Sequence, residues 1–236
     1  MKIGILQTGR APAELREAHG DYDSMFVQLL SGRSFQFETY PVLDGVLPTQ
    51  VNSADGWLVT GSRFGVYEEH SWIKLLEAFL KEAYRQSVPI VGVCFGHQIL
   101  AQALGGKVEK FDAGWSVGMV DYAVKSMSEP VCLAAWHQDQ IVEPPASAEV
   151  VASTDFCQYA MLAYGEVTDK KVVDDRHEVY LDVWSINRAG EKSSLGNAVV
   201  LLPSRSADGL ALPDAPADNL TDLIQHAVEK YSQENT

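Results

Sequence analysis

Basic residues and long apolar runs are both scarce in this sequence. Its 236 residues include 18 Lys and Arg against 32 Asp and Glu, which gives a formal net charge of −14 at pH 7. Nucleic acids and anionic membranes are bound by clustered Lys and Arg, so we predict a partner of neither kind. No apolar run approaches the ~20 residues of a membrane span, and the N-terminal apolar stretch is too short for a signal peptide.

Cysteine is also rare, and histidine is scattered. The three cysteines, Cys94, Cys132 and Cys157, form no CxxC pair, and an odd number is a poor disulfide framework. A reducing, cytoplasmic setting is therefore expected. The six histidines form no cluster with zinc-ligand spacing, so no metal site is predicted.

The chain does contain the composition and the alternation of an α/β domain. Hydrophobic residues make up 46% of it and charged residues 21%, and its length fits one large domain, so we predict a single domain over residues 1–236. Strand and helix signals alternate through the first two-thirds, which favours a mostly parallel sheet with helices on both faces. Residues 107–164 are rich in strand signals and predict an antiparallel extension of that sheet.

The predicted elements follow from apolar periodicity and capping residues. Strands are predicted at 2–8, 35–42, 56–60 and 89–93, and helices after Asp21, from Ser71 to about 86, at 95–104 and after Asp218. The first of these helices has an apolar stripe, and so does the second (Ile73, Leu76, Leu80 and Ala83). The strand at 89–93 (PIVGV) is continuously apolar, which predicts burial on both faces.

The most informative element is the sequence Gly-Val-Cys-Phe-Gly at residues 92–96, between a strand and a helix. A nucleophile in this pattern lies on a sharp turn at the carboxyl end of the sheet, and the flanking glycines let backbone and helix pass closely. The helix N-terminus favours the thiolate of Cys94, and the N–H of Phe95 is directed at an oxyanion. The alternative is a cysteine that only packs, which is how we interpret Cys132 and Cys157.

The segment 91–106 (VGVCFGHQILAQALGG) resembles the nucleophile region of class I, or triad, glutamine amidotransferases, and most of all the stand-alone members similar to the glutaminase domain of GMP synthase. The resemblance extends to about residue 165. It includes GWLVTGS at 56–62, GWSVG at 114–118 and WHQDQ at 136–140. It implies a flavodoxin-like, doubly wound sheet with the active site at the carboxyl ends of its strands.

The resemblance also implies roles for individual residues. Cys94 is expected to attack a γ-glutamyl amide, expel ammonia and leave a thioester that water hydrolyses. The backbone N–H groups of Gly61 and Phe95 are expected to form the oxyanion hole, and Gln98 to contact the polar end of the substrate. No cofactor is implied.

Three further residues near these motifs are assigned to binding or support. His97 is interpreted as structural, since it occupies the helical position next to Gln98. His137 and Asp139 are assigned to pocket lining or to support of their loop, and the alternative for His137 is a histidine that ends a strand.

The catalytic histidine is where the sequence departs from the family pattern, because it lacks the expected His-Pro-Glu element. His177, in the run DDRHE at 174–178, is the nearest candidate. In a regular strand Glu178 points away from His177 and Asp175 shares its side, although a bulge re-aims either one. The alternative is an exposed histidine in a solvated charged run.

Residues 166–212 match nothing expected of the family, and are either a diverged segment or the product of a local reading-frame change. The leading prediction is a glutamine amidotransferase-like hydrolase of glutamine or another small γ-glutamyl compound, which either passes ammonia to a separate synthetase subunit or acts alone. The alternative is a catalytically impaired member that binds a ligand or a partner protein.

Overall fold

A computed structural model describes residues 1–125 and 127–164 with their side chains, and residues 166–173, 176–186 and 192–202 as backbone strands. The chain divides into two compact units, Met1–Asp169 with Tyr180–Val199, and Lys170–Val179 with Val200–Thr236. The side chains described below all belong to the first unit. That the whole chain is one domain stays a prediction.

A four-stranded parallel sheet organises the first unit. Its strands are β1 (Lys2–Gln7), β2 (Gln36–Pro41), β3 (Gly56–Val59) and β4 (Ile90–Gly92). They lie in the order β2-β1-β3-β4, which is how a flavodoxin-type sheet begins. The prediction of an α/β fold with a parallel sheet is confirmed. Because the strand order reverses between β1 and β3, the carboxyl ends of these two strands border a crevice.

Helices α3 (Ser71–Arg85) and α4 (Phe95–Ala103) pack together against one face of this sheet. The predicted stripe of α3 is buried, and its partners on the sheet include Leu6, Trp57 and Val59. Burial of each isoleucine or leucine of this stripe contributes roughly 1.5–3 kcal/mol. These contacts hold the N-terminus of α4 against the carboxyl end of β3.

The other face of the sheet buries Ile5 and Leu58, which pair in register. Helices α1 (Ala13–His19) and α2 (Tyr22–Leu29) follow β1, and α2 contacts that strand. In α2 no residue is buried, so the predicted apolar stripe of this helix is only partly covered within the described part of the chain.

Two capping predictions have different outcomes. Asp21 caps α2 as predicted, and its side chain accepts a hydrogen bond from the N–H of Tyr22. Ser71 does not cap α3: His70 is the N-cap and Ser71 is the first helical residue. In the sequence, a serine at the first helical position cannot be told from a serine at the N-cap, which explains this error.

The prediction that residues 89–93 are buried on both faces is wrong for the described structure. Val91 is 41% exposed and Val93 is 39% exposed. β4 is the last strand in the order of its sheet, and an apolar sequence alone does not distinguish an edge strand from a central one.

Antiparallel strands follow, and they form separate sheets instead of extending the parallel one. β5 (Lys107–Lys110) pairs with β8 (Asp139–Glu143). A second sheet has the order β10-β9-β6-β7, and its strands are β6 (Ser116–Val124), β7 (Val131–His137), β9 (Glu149–Ser153) and β10 (Met161–Ala163).

Three later strands form a sheet in the order β11-β12-β13, and they are β11 (Glu166–Val173), β12 (Arg176–Ile186) and β13 (Lys192–Leu202). The helix predicted after Asp218 lies outside the described residues. Within the described part of the chain, no helix combines the length and the apolar content that crossing a membrane requires.

Candidate functional site

Cys94 occupies a sharp turn between β4 and α4. Its φ is 54° and its ψ is −110°, a backbone conformation that non-glycine residues rarely adopt and that costs about 1–3 kcal/mol. The turn is fixed on both sides, because Val93 N–H donates to Val59 O (3.0 Å) and Gln98 N–H donates to Cys94 O (3.1 Å). The surrounding structure therefore holds the nucleophile candidate in a strained position.

The two glycines beside Cys94 make this turn possible. A Cβ on Gly92 would lie 2.2 Å from Gly96 O, and a Cβ on Gly96 would lie 2.3 Å from Val59 O. Both distances are far shorter than any real Cβ contact. The close approach of strand and helix that the sequence pattern predicts is present, and it depends on the absence of these two side chains.

Cys94 is an exposed residue, yet protein surrounds its thiol closely enough to change its ionisation. Burial raises the pKa of Cys94, the Phe95 N–H lowers it, and the charge of Asp139 raises it. The helix N-terminus thus acts in the predicted direction, but desolvation outweighs it and the net pKa is raised. Attack by this sulfur requires a base to remove the proton.

The raised pKa predicts the pH dependence of alkylation at Cys94. Because only the thiolate reacts, the iodoacetamide rate should increase with pH through a midpoint above the ordinary thiol value of about 8.5. Peptide mass spectrometry of the alkylated protein measures the rate at this residue. The same thiol in the urea-unfolded chain is the reference and should react with the ordinary midpoint. A midpoint at or below 7 in the folded protein would contradict this assignment.

Gly61 lies beside Cys94, in the loop that follows β3. A Cβ built on Gly61 would lie 3.7 Å from the Cβ of Cys94, and apart from Gly61 and its chain neighbours no other atom of the described residues would be within 4 Å. The structure therefore brings together the two segments that the sequence pairs in an oxyanion hole. The role of Gly61 and Phe95 in binding an oxyanion stays a prediction.

Two fully buried threonines at the ends of β1 and β3 hold the Gly61 loop. Thr8 N–H donates to Thr60 Oγ1 (3.0 Å), and Thr8 Oγ1 donates to Thr60 O (2.9 Å). Thr60 Oγ1 lies 3.1 Å from Gly61 O, and Ser62 Oγ donates to Thr8 O (2.8 Å). Neither threonine was identified as a site residue from the sequence. Their only signal is that each strand is followed directly by Thr-Gly, at residues 8–9 and 60–61.

Asp139 is held near the site by three side chains. Its backbone oxygen accepts from Gln98 Nε2 (2.7 Å) and lies 3.2 Å from His137 Nδ1. Its carboxylate accepts from Tyr67 Oη (3.1 Å). Burial raises the pKa of Asp139, and the Tyr67 hydrogen bond opposes that change. Tyr67 was not identified from the sequence.

Two of the predicted binding residues, Gln98 and His137, contact the backbone of Asp139 in this structure. Gln98 is buried and its amide supports the Asp139 loop. Contact between Gln98 and a substrate stays a prediction. His137 also contacts that loop, and burial lowers its pKa.

The remaining residues considered in the sequence, His97, Cys132 and Cys157, differ in their surroundings. His97 Nε2 lies 2.8 Å from Tyr159 O, a contact that supports its structural interpretation. Cys157 is buried as predicted, whereas Cys132 is exposed, so the prediction that Cys132 packs is wrong. Its strand, β7, has alternate residues directed outwards, and a mid-strand position does not say which side a residue takes.

The proposed catalytic histidine is not placed relative to Cys94. His177 is the second residue of β12, and its side chain lies outside the described residues, as do Asp174 and Asp175. Among the residues that the structure describes, no three His, Cys, Asp or Glu side chains are grouped to hold a metal ion.

Comparison with known proteins adds to this geometry. Residues 17–168 match the family described as glutamine amidotransferase class-I. Among curated proteins, γ-glutamyl peptidase 2 of Arabidopsis thaliana is 28% identical over 61% of this chain and 62% of its own length. γ-Glutamyl peptidase 5 of the same plant is 29% identical over 64% of this chain and 66% of its own length. The chain thus covers less than two thirds of these relatives.

Two further similarities concern a longer enzyme and a solved structure. The glutamine-hydrolysing GMP synthase of Finegoldia magna is 25% identical over 65% of this chain, but only over 30% of its own length. The crystal structure of a glutamine amidotransferase from Thermotoga maritima superposes with a TM-score of 0.59 at 18% identity, over 70% of this chain and 71% of that one. At that identity the likeness shows the fold.

Proposed function

Because this chain belongs to the class I glutamine amidotransferase family, we propose that it hydrolyses the γ-glutamyl amide bond of a small molecule through a thioester on Cys94. The observation that carries the proposal is the strained turn that holds the Cys94 thiol beside Gly61 and near Asp139. Strain of this kind in a non-glycine residue is concentrated at functional sites. The γ-glutamyl peptidases among its relatives support the same bond class.

The reaction requires two transfers at one carbonyl carbon. Cys94 Sγ attacks the γ-carbonyl carbon and loses its proton to a base, and the carbonyl oxygen becomes an oxyanion held by the N–H groups of Gly61 and Phe95. Collapse of this intermediate breaks the C–N bond, and the departing nitrogen takes a proton. Water then attacks the thioester, which gives the γ-carboxylate and the free thiol.

We propose His177 as the base in this scheme. It would accept the thiol proton, give it to the leaving nitrogen and later remove a proton from the attacking water. The raised pKa of Cys94 supports the need for such a group, because little thiolate is present at neutral pH without one.

The charge on Asp139 is suited to the α-ammonium group of a γ-glutamyl substrate. Its carboxylate is partly desolvated, and it has one described hydrogen bond, from Tyr67. A cation placed beside it would recover the interactions that burial removes. The carboxylate of Asp139 would therefore anchor the amino-acid end of the substrate, while the thiol reacts with the amide.

Replacing this carboxylate by an amide tests the anchor. In Asp139→Asn the loop contacts through the backbone oxygen remain, so we expect KM to rise about 10- to 100-fold, as for loss of a charged hydrogen bond, with kcat changed less than about 5-fold. Steady-state kinetics measure both. Asp112→Asn is the control, because it also removes one acidic charge and lies outside the contacts described above; it should leave KM unchanged. A fall in kcat at constant KM would contradict the anchor role.

The substrate class is tested by comparing two amides. Free glutamine and a γ-glutamyl dipeptide are supplied to the purified protein, and glutamate release is measured. Hydrolysis of the dipeptide favours an enzyme that acts alone, in line with the named peptidases. Preference for glutamine favours ammonia supply to a synthetase subunit, an arrangement that the GMP synthase similarity supports.

Covalent labelling distinguishes a family member with a damaged base from one that binds no ligand at this site. A chloroketone analogue of glutamine should alkylate Cys94, located by peptide mass spectrometry. Alkylation without hydrolysis of either amide would overturn the hydrolase proposal in favour of a ligand-binding member with a damaged base. Absence of both alkylation and hydrolysis would overturn ligand binding at this site as well.

A further inference from the structure

The hydroxyl of Thr8 lies at the centre of the network that fixes the loop beside Cys94. Thr8 and Thr60 are both fully buried, and each directly follows one of the paired parallel strands β1 and β3. Thr60 N–H also donates to Leu6 O (3.1 Å), so the pairing of the two strands holds the threonine backbones close together. Thr8 Oγ1 lies within hydrogen-bond distance of three atoms: Thr60 O (2.9 Å), Thr60 Oγ1 (3.2 Å) and Gly61 O (3.2 Å).

Each hydroxyl has one proton, and this fixes the donor and the acceptor in each of these hydrogen bonds. Thr60 Oγ1 accepts from Thr8 N–H, and its own proton is directed to Gly61 O at 3.1 Å. The single proton of Thr8 Oγ1 then goes to its nearest acceptor, Thr60 O at 2.9 Å. Each hydroxyl thus holds one carbonyl of the loop, and Thr8 holds the carbonyl of the peptide that joins Thr60 to Gly61.

Holding that carbonyl also sets the direction of the Gly61 N–H. The peptide group is planar, and in the trans form its N–H points opposite to its C=O. No cis peptide occurs among the described residues. The Thr60 carbonyl is directed at the buried Thr8 hydroxyl, so the Gly61 N–H is directed away from it. Gly61 itself lies against Cys94.

We propose that Thr8 is a positioning residue for the reaction: its hydroxyl locks the Thr60–Gly61 peptide so that the Gly61 N–H is presented to the oxygen of the tetrahedral intermediate. This inference rests on the proposed hydrolase function. Without the hydroxyl, Thr60 O loses its buried partner and the peptide is free to rotate. The donor would then be misaligned when charge develops on the substrate oxygen, while ground-state binding would be little affected.

The test compares variants that differ at this hydroxyl. Thr8→Val removes the hydroxyl with nearly the same shape, and we expect kcat for γ-glutamyl-p-nitroanilide to fall about 10- to 100-fold with KM within about 3-fold. Thr8→Ser keeps the hydroxyl and should recover kcat to within about 3-fold of the wild-type value. The iodoacetamide rate at Cys94 should stay within about 2-fold, since alkylation develops no carbonyl oxyanion.

A control variant and a second pair of variants distinguish a loss of positioning from a loss of folding. Ser53→Ala removes another hydroxyl-to-carbonyl hydrogen bond, from Ser53 Oγ to Gln50 O in the turn before β3, and should leave kcat unchanged. If Thr8→Val does not fold, Thr8→Ala is compared with Thr8→Ser below their unfolding midpoints, because these two differ only in the hydroxyl.

The outcomes separate this inference from the function on which it depends. A wild-type protein that hydrolyses the anilide, together with a Thr8→Val variant of equal kcat, would overturn the role of Thr8 alone. Equal losses in kcat and in alkylation rate would also overturn it, because they would show a general distortion of the turn. A wild-type protein without any hydrolysis would overturn the proposed function and this inference with it.

Discussion

Cys94→Ala is expected to lose at least about 10⁴-fold in kcat for any γ-glutamyl amide that the wild-type protein hydrolyses. The nucleophile supplies the covalent intermediate, and removal of such a group in acyl-transfer enzymes typically costs several orders of magnitude. Product release measured by amino-acid analysis tests this loss. Cys132→Ala is the control, since it also removes an exposed cysteine, and it should retain activity.

Substitutions of Cys94 also test the backbone strain at this residue, through their effect on stability. Alanine keeps a Cβ at a φ of 54°, so Cys94→Ala should unfold at nearly the wild-type denaturant concentration. Cys94→Gly removes that Cβ and should be more stable than Cys94→Ala by about 1 kcal/mol, because glycine adopts positive φ without strain. Full activity in Cys94→Ala would refute the thioester mechanism, and a glycine variant less stable than the alanine variant would refute the strain.

Gly96→Ala is expected to lower the free energy of unfolding by about 3 kcal/mol or more, at the upper end of overpacking costs. The added methyl group would lie 2.3 Å from Val59 O and 2.9 Å from Val59 Cβ, and backbone atoms cannot rotate out of the way as a flexible side chain can. Relief requires α4 to move away from β3. Because Cys94 is the N-cap of α4, activity should fall together with stability.

A matched glycine provides the control for this experiment. Gly56, at the other end of β3, has its nearest neighbour at 3.5 Å, an ordinary contact, so Gly56→Ala should change stability by less than about 1 kcal/mol. Urea unfolding followed by tryptophan fluorescence measures both variants. Equal stabilities for Gly96→Ala and Gly56→Ala would show that α4 leaves room for a methyl group beside Val59.

The features that the sequence predicted correctly are those encoded locally. The Cys94 turn is specified by glycines two residues away on either side, and the buried stripe of α3 by its own periodicity. The parallel sheet follows from alternating elements joined by crossovers. The match of residues 17–168 to the amidotransferase family confirms the resemblance that the segment around Cys94 indicated.

The features that the sequence did not predict depend on which elements become neighbours. Thr8 and Thr60 are 52 positions apart, and only the pairing of β1 with β3 brings their hydroxyls together. The exposure of Val91 follows from the place of β4 in the sheet order. Tyr67 reaches Asp139 across 72 positions. Local patterns contain no information on such pairings until the topology is known.

The bond between Gln98 and Asp139 has a consequence for substrate choice. Cys94 is the N-cap of α4, and one turn later Gln98 donates a hydrogen bond to the backbone oxygen of Asp139, the first residue of β8. The proposed reacting atom and the proposed ammonium anchor thereby belong to two elements, α4 and β8, which the Gln98 amide ties together. If both proposed roles hold, this arrangement favours one number of methylenes between the amide and the amino group, and we expect γ-glutamyl amides to be hydrolysed faster than the shorter β-aspartyl amides.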